Sequence, residues 1–101
     1  MVVVIDEDAT RLDISEAILA KLRFAVAPFA SVETALAAMR AMRPEIIVAR
    51  ENAVQKLRGR LPADRDGRAI PLLPVTPELS DPEALVEAVR EMMRSHREQP
   101  T

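Results

Sequence analysis

Side chains able to do chemistry follow three separate apolar runs in this chain of 101 residues. Asp6 and Glu7 follow the run at residues 2–5, Arg50 follows the run at 45–49, and Thr76 follows the run at 69–75. Adjacent carboxylates bind divalent cations and a hydroxyl can contact a phosphate oxygen, so the first and third positions suit metal-assisted phosphoryl chemistry. Arg50 does not suit it, because a permanently protonated guanidinium has no lone pair for attack and repels a metal ion.

The apolar runs themselves predict buried parallel strands. They are short and show little alternation with polar residues, as expected for strands covered on both faces. Helical patterns lie between them, and strands alternating with helices predict an α/β fold with right-handed crossovers. The ligand crevice of such a sheet lies at the carboxyl ends of its strands. The residues expected to meet there are Asp6, Glu7, Arg50, Asn52 and Thr76.

The length of 101 residues predicts a single domain, and helix signals indicate where its helices begin. Asp8 and Ser31 are placed to cap the first two helices, and Pro82 starts the last one. The first helix has an apolar stripe formed by Ile14, Ala17, Ile18 and Leu22, and Leu12 and Leu19 widen it. We therefore expect this helix to contact a neighbouring helix as well as the sheet. The domain is predicted to cover residues 1–95, and the polar tail at 96–101 is predicted to fray.

Two prolines predict which strands lie at the edges of the sheet. Pro28 falls in the second strand, expected at residues 24–29, and Pro74 falls in the fourth. Proline cannot donate to a ladder, so both strands are expected to be edge strands. A short helix at residues 53–61 is predicted between the third and fourth strands.

Composition excludes several classes of function. The formal charge of −2 gives no reason to expect direct binding to nucleic acid or to a membrane. The absence of cysteine excludes disulfides and thiolate metal sites, and it fits a cytoplasmic location. The apolar start is too short for a signal peptide or a spanning helix. No cofactor and no bound metal are expected.

The acidic pair after the first strand and the threonine after the fourth resemble the receiver domains of two-component response regulators. The resemblance is carried by Val4-Ile5-Asp6-Glu7, by residues 45–50 and by residues 70–76. In that family an acidic pair and an aspartate hold Mg²⁺, the aspartate accepts a phosphoryl group, and a lysine and a threonine contact the phosphate. The resemblance therefore implies a flavodoxin-like fold, with Asp6 and Glu7 as the acidic pair and Thr76 as the switch threonine. It also implies that Arg50 occupies the phosphoacceptor position and Asn52 the position of a metal-binding backbone carbonyl.

This chain departs from the family pattern in several places. Arg50 replaces the phosphoacceptor, no lysine lies near the fourth strand, and no aromatic residue follows Phe29. The chain is also short by about one strand-helix unit, which leaves three alignments open. In the first, residues 69–75 are the family's fourth strand and the last helix is its terminal helix. In the second, the same residues replace the fifth strand, and in the third the last helix is the family's fourth helix. We expect about four strands in each case.

These observations predict a phosphorylation-independent pseudo-receiver without enzymatic activity, which acts through a protein partner or by forming a homodimer. Arg50 is expected to pair with Asp6 or Glu7 in place of Mg²⁺. The expected docking surface combines the fourth strand's edge with the last helix, through Leu72, Val75, Leu85, Val89 and Met92. One alternative is an active phospho-switch that uses Asp6 or Asp8 with Mg²⁺. Another is an unrelated small α/β binding module.

Overall fold

A computed structural model describes residues 1–61, 70–76 and 82–98. Strands and helices alternate through this part of the chain. In order they are β1 (Val2–Ile5), α1 (Ala9–Lys21), β2 (Val26–Phe29), α2 (Val32–Ala38), β3 (Ile46–Arg50), α3 (Glu51–Leu57), β4 (Leu72–Val75) and α4 (Pro82–Glu98). None of these helices is long and apolar enough to cross a membrane.

The four strands form one parallel sheet in the order β2-β1-β3-β4. The central strands β1 and β3 are buried along almost their whole length, because helices cover both faces of the sheet. Side chains that alternate along β1 reach opposite faces: Val2 and Val4 pack with α1 and α4, whereas Val3 and Ile5 pack with α2 and α3. The predicted three-layer, flavodoxin-like α/β fold of about four strands is confirmed.

The position of α4 excludes one of the three alignments described above. The crossover from β1 to β2 uses α1 on one face, and the crossovers towards β3 and β4 use α2 and α3 on the other. Right-handed crossovers require this change of face when the direction across the sheet reverses. A helix leading from β4 to a further outer strand would therefore lie beside α3. Instead α4 lies beside α1, which contradicts the alignment that makes it the family's fourth helix.

Several predicted element boundaries need correction. Asp8 and Ser31 cap α1 and α2 as predicted, each accepting a backbone N–H three residues later. However, α3 begins at Glu51 directly after β3, two residues earlier than predicted. The last helix continues through Glu98, so residues 96–98 are helical rather than frayed. Arginine and glutamate favour helix there, and Pro100 is the first residue that would oppose its continuation. The rest of the predicted tail, residues 99–101, lies outside the described residues.

The structure shows which part of the wide apolar stripe of α1 meets the sheet. Leu19 is completely buried, whereas Ile14 is 51% exposed. The inward face therefore runs through Leu12, Ser15 and Leu19, and Ile14 and Ile18 flank it on one side. Three-four spacing fits both stripes, and packing against β1 and β2 selects the one that contains Leu19.

Both edge strands turn a proline towards the open side of the sheet. In a parallel ladder, alternate residues direct their backbone groups to the same neighbouring strand. Ile47 donates its N–H to the Pro71 carbonyl, so in this register Leu72 and Pro74 of β4 direct their backbone groups away from β3. The bond from the Val2 N–H to the Ala25 carbonyl gives the same result for Pro28 in β2. Each open edge therefore lacks one N–H donor, which opposes pairing with another strand.

We predict that these prolines keep the sheet edges from pairing between molecules. Light scattering coupled to size exclusion should give the mass of one chain for the wild type over a wide concentration range. Replacing both residues, Pro28→Val with Pro74→Val, restores the two outward N–H groups and should produce concentration-dependent self-association. A double variant that self-associates no more than the wild type would contradict this assignment.

Candidate functional site

The carboxyl ends of β1 and β3 bring most of the predicted site residues together. Asp6, Glu7, Arg50 and Asn52 line one pocket of about 80 Å³, together with Arg11. The parallel register places Ile5 beside Ala49, so the residues that follow the two strands are neighbours. Thr76 follows β4 and is half-buried, but it does not line this pocket. The structure therefore gathers four of the five predicted residues.

Asp6 is the buried charge of this pocket, with only 8% of its surface exposed. Its backbone N–H bonds to the Phe29 carbonyl at 3.1 Å, which continues the ladder between β1 and β2 by one residue. Its carboxylate accepts the Asp8 backbone N–H at 2.9 Å. It also accepts two hydrogen bonds from the Arg11 guanidinium, from Nε at 3.0 Å and from Nη2 at 3.1 Å. Both carboxylate oxygens are thus occupied by donors of the chain itself.

Arg11 is the cation that neutralises Asp6, and the sequence prediction missed it. It lies in the first turn of α1, half-exposed, and its two-pronged contact has the geometry that makes arginine–carboxylate pairs strong. Its Nη1 also lies 3.7 Å from Asp8, so one guanidinium serves two carboxylates. Hydrogen bonding to Asp6 raises the pKa of Arg11 further. The spacing of three residues between Asp8 and Arg11 was the available signal, since such residues are neighbours on a helix.

Asp8 acts as the cap of α1, as predicted. Its carboxylate accepts the Arg11 backbone N–H at 3.0 Å. This bond is the largest cause of a lowered pKa for Asp8. Desolvation is the next largest effect and opposes it, and the charge of Arg11, the Thr10 backbone N–H and the charge of Arg50 lower the pKa further.

Arg50 does not form the predicted pair with Asp6 or Glu7. Within the described residues the Arg50 side chain makes no hydrogen bond or ion pair. Its positive charge acts on Asp8, whose pKa it lowers. The reason is competition, because Arg11 already occupies both oxygens of Asp6. Glu7 lies instead near Lys56 of α3, at 4.0 Å, with both side chains well exposed. Exposed pairs of this kind contribute little to stability.

Asn52 cannot offer the predicted backbone carbonyl to a metal in this pocket. It lies in the first turn of α3, where carbonyls point along the helix away from its start. Its side-chain oxygen accepts the Ala53 N–H at 2.9 Å. The early start of α3 removes the loop that a metal-binding carbonyl would need. No cluster of three metal-ligating side chains occurs in the described part of the chain.

The predicted docking surface is partly core. Leu85 and Val89 of α4 are 4% and 0% exposed and pack against the sheet, so they cannot contact a partner directly. Their spacing of four residues marks the inward face of α4. Leu72, Val75 and Met92 are half-buried and retain accessible surface. These three do not form one patch, because Leu72 packs on the α2–α3 side and the other two on the α1–α4 side.

Comparison of the chain with protein-family models, with curated proteins and with solved structures finds no match. The receiver resemblance therefore stays a prediction that depends on the residues named above.

We predict that Arg11, and not Arg50, stabilises the fold through this site. Arg11→Met leaves the buried Asp6 carboxylate with one backbone donor, and an unneutralised buried charge is costly. The midpoint of urea unfolding should therefore fall clearly for Arg11→Met and much less for Arg50→Met, the matched control. An equal or larger loss for Arg50→Met would restore Arg50 as the partner of Asp6.

We also predict an acid-dependent contribution from Asp8. A folded-state pKa below the ordinary value of 3.8 gives stability that is present above that value and is lost as the pH falls through the folded-state pKa. Asp8→Asn keeps a good helix cap but cannot ionise. Wild type should be the more stable protein above about pH 5, and its advantage should disappear as the pH falls towards about 2. Asp13→Asn on the same helix is the control, and an advantage that does not change with pH would contradict the prediction.

Proposed function

We propose that this chain is a receiver-like signalling domain that is not phosphorylated and that acts by contact with a protein partner in the cytoplasm. The observation that supports this most directly is the pair between Asp6 and Arg11. In the receivers that the sequence resembles, the corresponding carboxylate binds Mg²⁺. Here both of its oxygens are already bonded to Arg11 and to the Asp8 N–H.

Phosphoryl transfer to this site lacks its two requirements. A nucleophile needs a free lone pair, and the residue at the end of β3 is Arg50, which has none. The developing negative charge needs a bound cation, and the carboxylates that would hold one already accept hydrogen bonds or lie at the surface. Asp6 and Asp8 are therefore held in one arrangement by the chain's own cation, which gives this domain no phosphorylation-driven change of state.

The partner surface that fits this proposal is a helical face and not a sheet edge. Pro74 interrupts the donor row of β4, so the expected homodimer through that edge is disfavoured. On the α1–α4 side, Ile14, Val75 and Met92 remain accessible to a partner. A different protein is therefore the preferred partner. If light scattering showed a wild-type dimer, a homodimer through the helices would be favoured instead.

The alternative function is a phospho-switch that uses Asp6 or Asp8 with Mg²⁺, and Asp8 is the more accessible of the two, with 45% of its side chain exposed. Incubation with acetyl phosphate and Mg²⁺, followed by intact mass spectrometry, separates the two functions. The wild type should gain no phosphate-sized mass, and isothermal titration with Mg²⁺ alone should give no binding heat. A mass gain that disappears in Asp6→Asn or Asp8→Asn would establish this alternative.

A double variant tests whether the receiver resemblance itself is correct. Arg11→Ala combined with Arg50→Asp frees the Asp6 oxygens and places a carboxylate at the end of β3, so it should acquire Mg²⁺ binding. Arg11→Ala combined with Arg58→Asp has the same net charge, with the new carboxylate at the far end of α3, and should bind no Mg²⁺. If neither double variant binds Mg²⁺, an unrelated α/β binding module becomes the better description.

A further inference from the structure

A second depression opens on the α1–α4 side of the sheet, beside the site already described. This α1–α4 groove has a volume of about 190 Å³, and its walls are mainly apolar. Ile14 and Ile18 of α1 form one wall, and Val75 and Leu85 form the other. Ile14 is the one large hydrophobic side chain classed as exposed within the described part of the chain. An apolar groove that leaves such a side chain in water can gain by binding an apolar group.

One end of the groove carries a guanidinium whose hydrogen-bonding capacity is unused. Arg50 lines the groove, is half-buried, and makes no hydrogen bond or ion pair with the described residues. A partly desolvated cation in this state favours an anionic partner, and a carboxylate matches the two-pronged shape of arginine. The Ser15 hydroxyl also lines the groove and can donate to the same group.

The acidic residue nearest to Arg50 in this groove does not compete for it. Asp6 lines the same end, but its oxygens accept bonds from Arg11 and from the Asp8 N–H. Its oxygens are thus satisfied by the turn into α1. Arg50 acts on Asp8 through its charge alone, without a hydrogen bond or ion pair, so its donors stay unused at the groove end within the described residues. Apolar walls and one unpaired cation are complementary to a molecule with an apolar body and one negative end.

We propose that the α1–α4 groove binds a small apolar carboxylate, with the carboxylate on Arg50 and the apolar body between Ile14 and Val75. The volume lies below the ~300–1,000 Å³ that is usual for pockets holding drug-sized ligands, so the ligand is a compact aliphatic or aromatic acid. Affinity for the simplest such acids should be on the order of millimolar, because a ligand with few atoms has few contacts. This inference does not depend on the proposed function.

Hexanoate and its uncharged analogue hexanamide are matched probes for this site. Each is titrated into ¹⁵N-labelled protein, and the amide shifts of Ile14, Ser15 and Val75 are followed. Hexanoate should shift these amides saturably, and hexanamide should bind about tenfold more weakly, since a charge-assisted hydrogen bond is lost. Ile14→Ser should weaken both probes, because that wall contacts the apolar body they share.

Arg50→Gln, tested with both probes, gives a thermodynamic cycle that isolates the interaction between the Arg50 side chain and the charge of the ligand. It should weaken hexanoate by about tenfold and leave hexanamide unchanged, because only the charged pair is removed. Arg58→Gln, on the exposed end of α3, is the control and should change neither probe. The proposal is overturned if hexanoate gives no saturable shift up to roughly 30 mM, if the two probes bind equally, or if Arg50→Gln weakens both alike. No Mg²⁺ or phosphodonor is present, so failure here is distinguishable from failure of the proposed function.

Discussion

A carboxylate buried at the end of a central strand must be neutralised, and the arrangement of the whole carboxyl edge follows from how this chain does so. Asp6 continues the ladder beyond β1 and has only 8% of its surface exposed. Leaving such a charge unpaired costs several kcal/mol, so a cation or a set of donors has to be supplied. The turn into α1 supplies both, through the Asp8 N–H and the Arg11 guanidinium.

Within the described residues, the groups that bond to the Asp6 carboxylate all come from the short segment of chain that follows it. Asp6, Asp8 and Arg11 lie within six consecutive residues, so the turn into α1 supplies the hydrogen bonds to that carboxylate without help from β3 or β4. In the receivers that the sequence resembles, a metal ion joins the acidic pair to the residue at the end of the third strand. Here the backbone ladder and packing join the strand ends, and no side-chain hydrogen bond or ion pair between Asp6 and Arg50 occurs in the described part of the chain. The charge at the end of β3 is therefore decoupled from the acidic pair, which is the physical basis of the proposed loss of phosphorylation.

The placement of the strands in the sheet could be predicted from the sequence, because it depends on burial. The ion-pair partner of Asp6 could not, because two arginines lie near it in the fold. The unbroken apolar runs of β1 and β3 predicted central strands, and Pro28 and Pro74 predicted the edges, because each feature excludes the alternative placement. The partner of Asp6 was different, since Arg11 and Arg50 are both arginines that the fold brings to one pocket. The packing of α1 on the sheet places Arg11, in the first turn of that helix, against Asp6, and the sequence pattern does not contain that placement.

The same choice of partner explains why Arg50 is available for another role. If Arg50 paired with Asp6 or Glu7, as predicted from the sequence, its donors would be used within the acidic pocket. Because Arg11 takes that position, Arg50 keeps its charge and its donors at the point where the acidic pocket meets the α1–α4 groove. The rotation of α1 that buries Leu19 also places Ile14 and Ile18 along that groove. The way α1 packs on the sheet thus places Arg11 on Asp6 and also places an apolar surface beside Arg50.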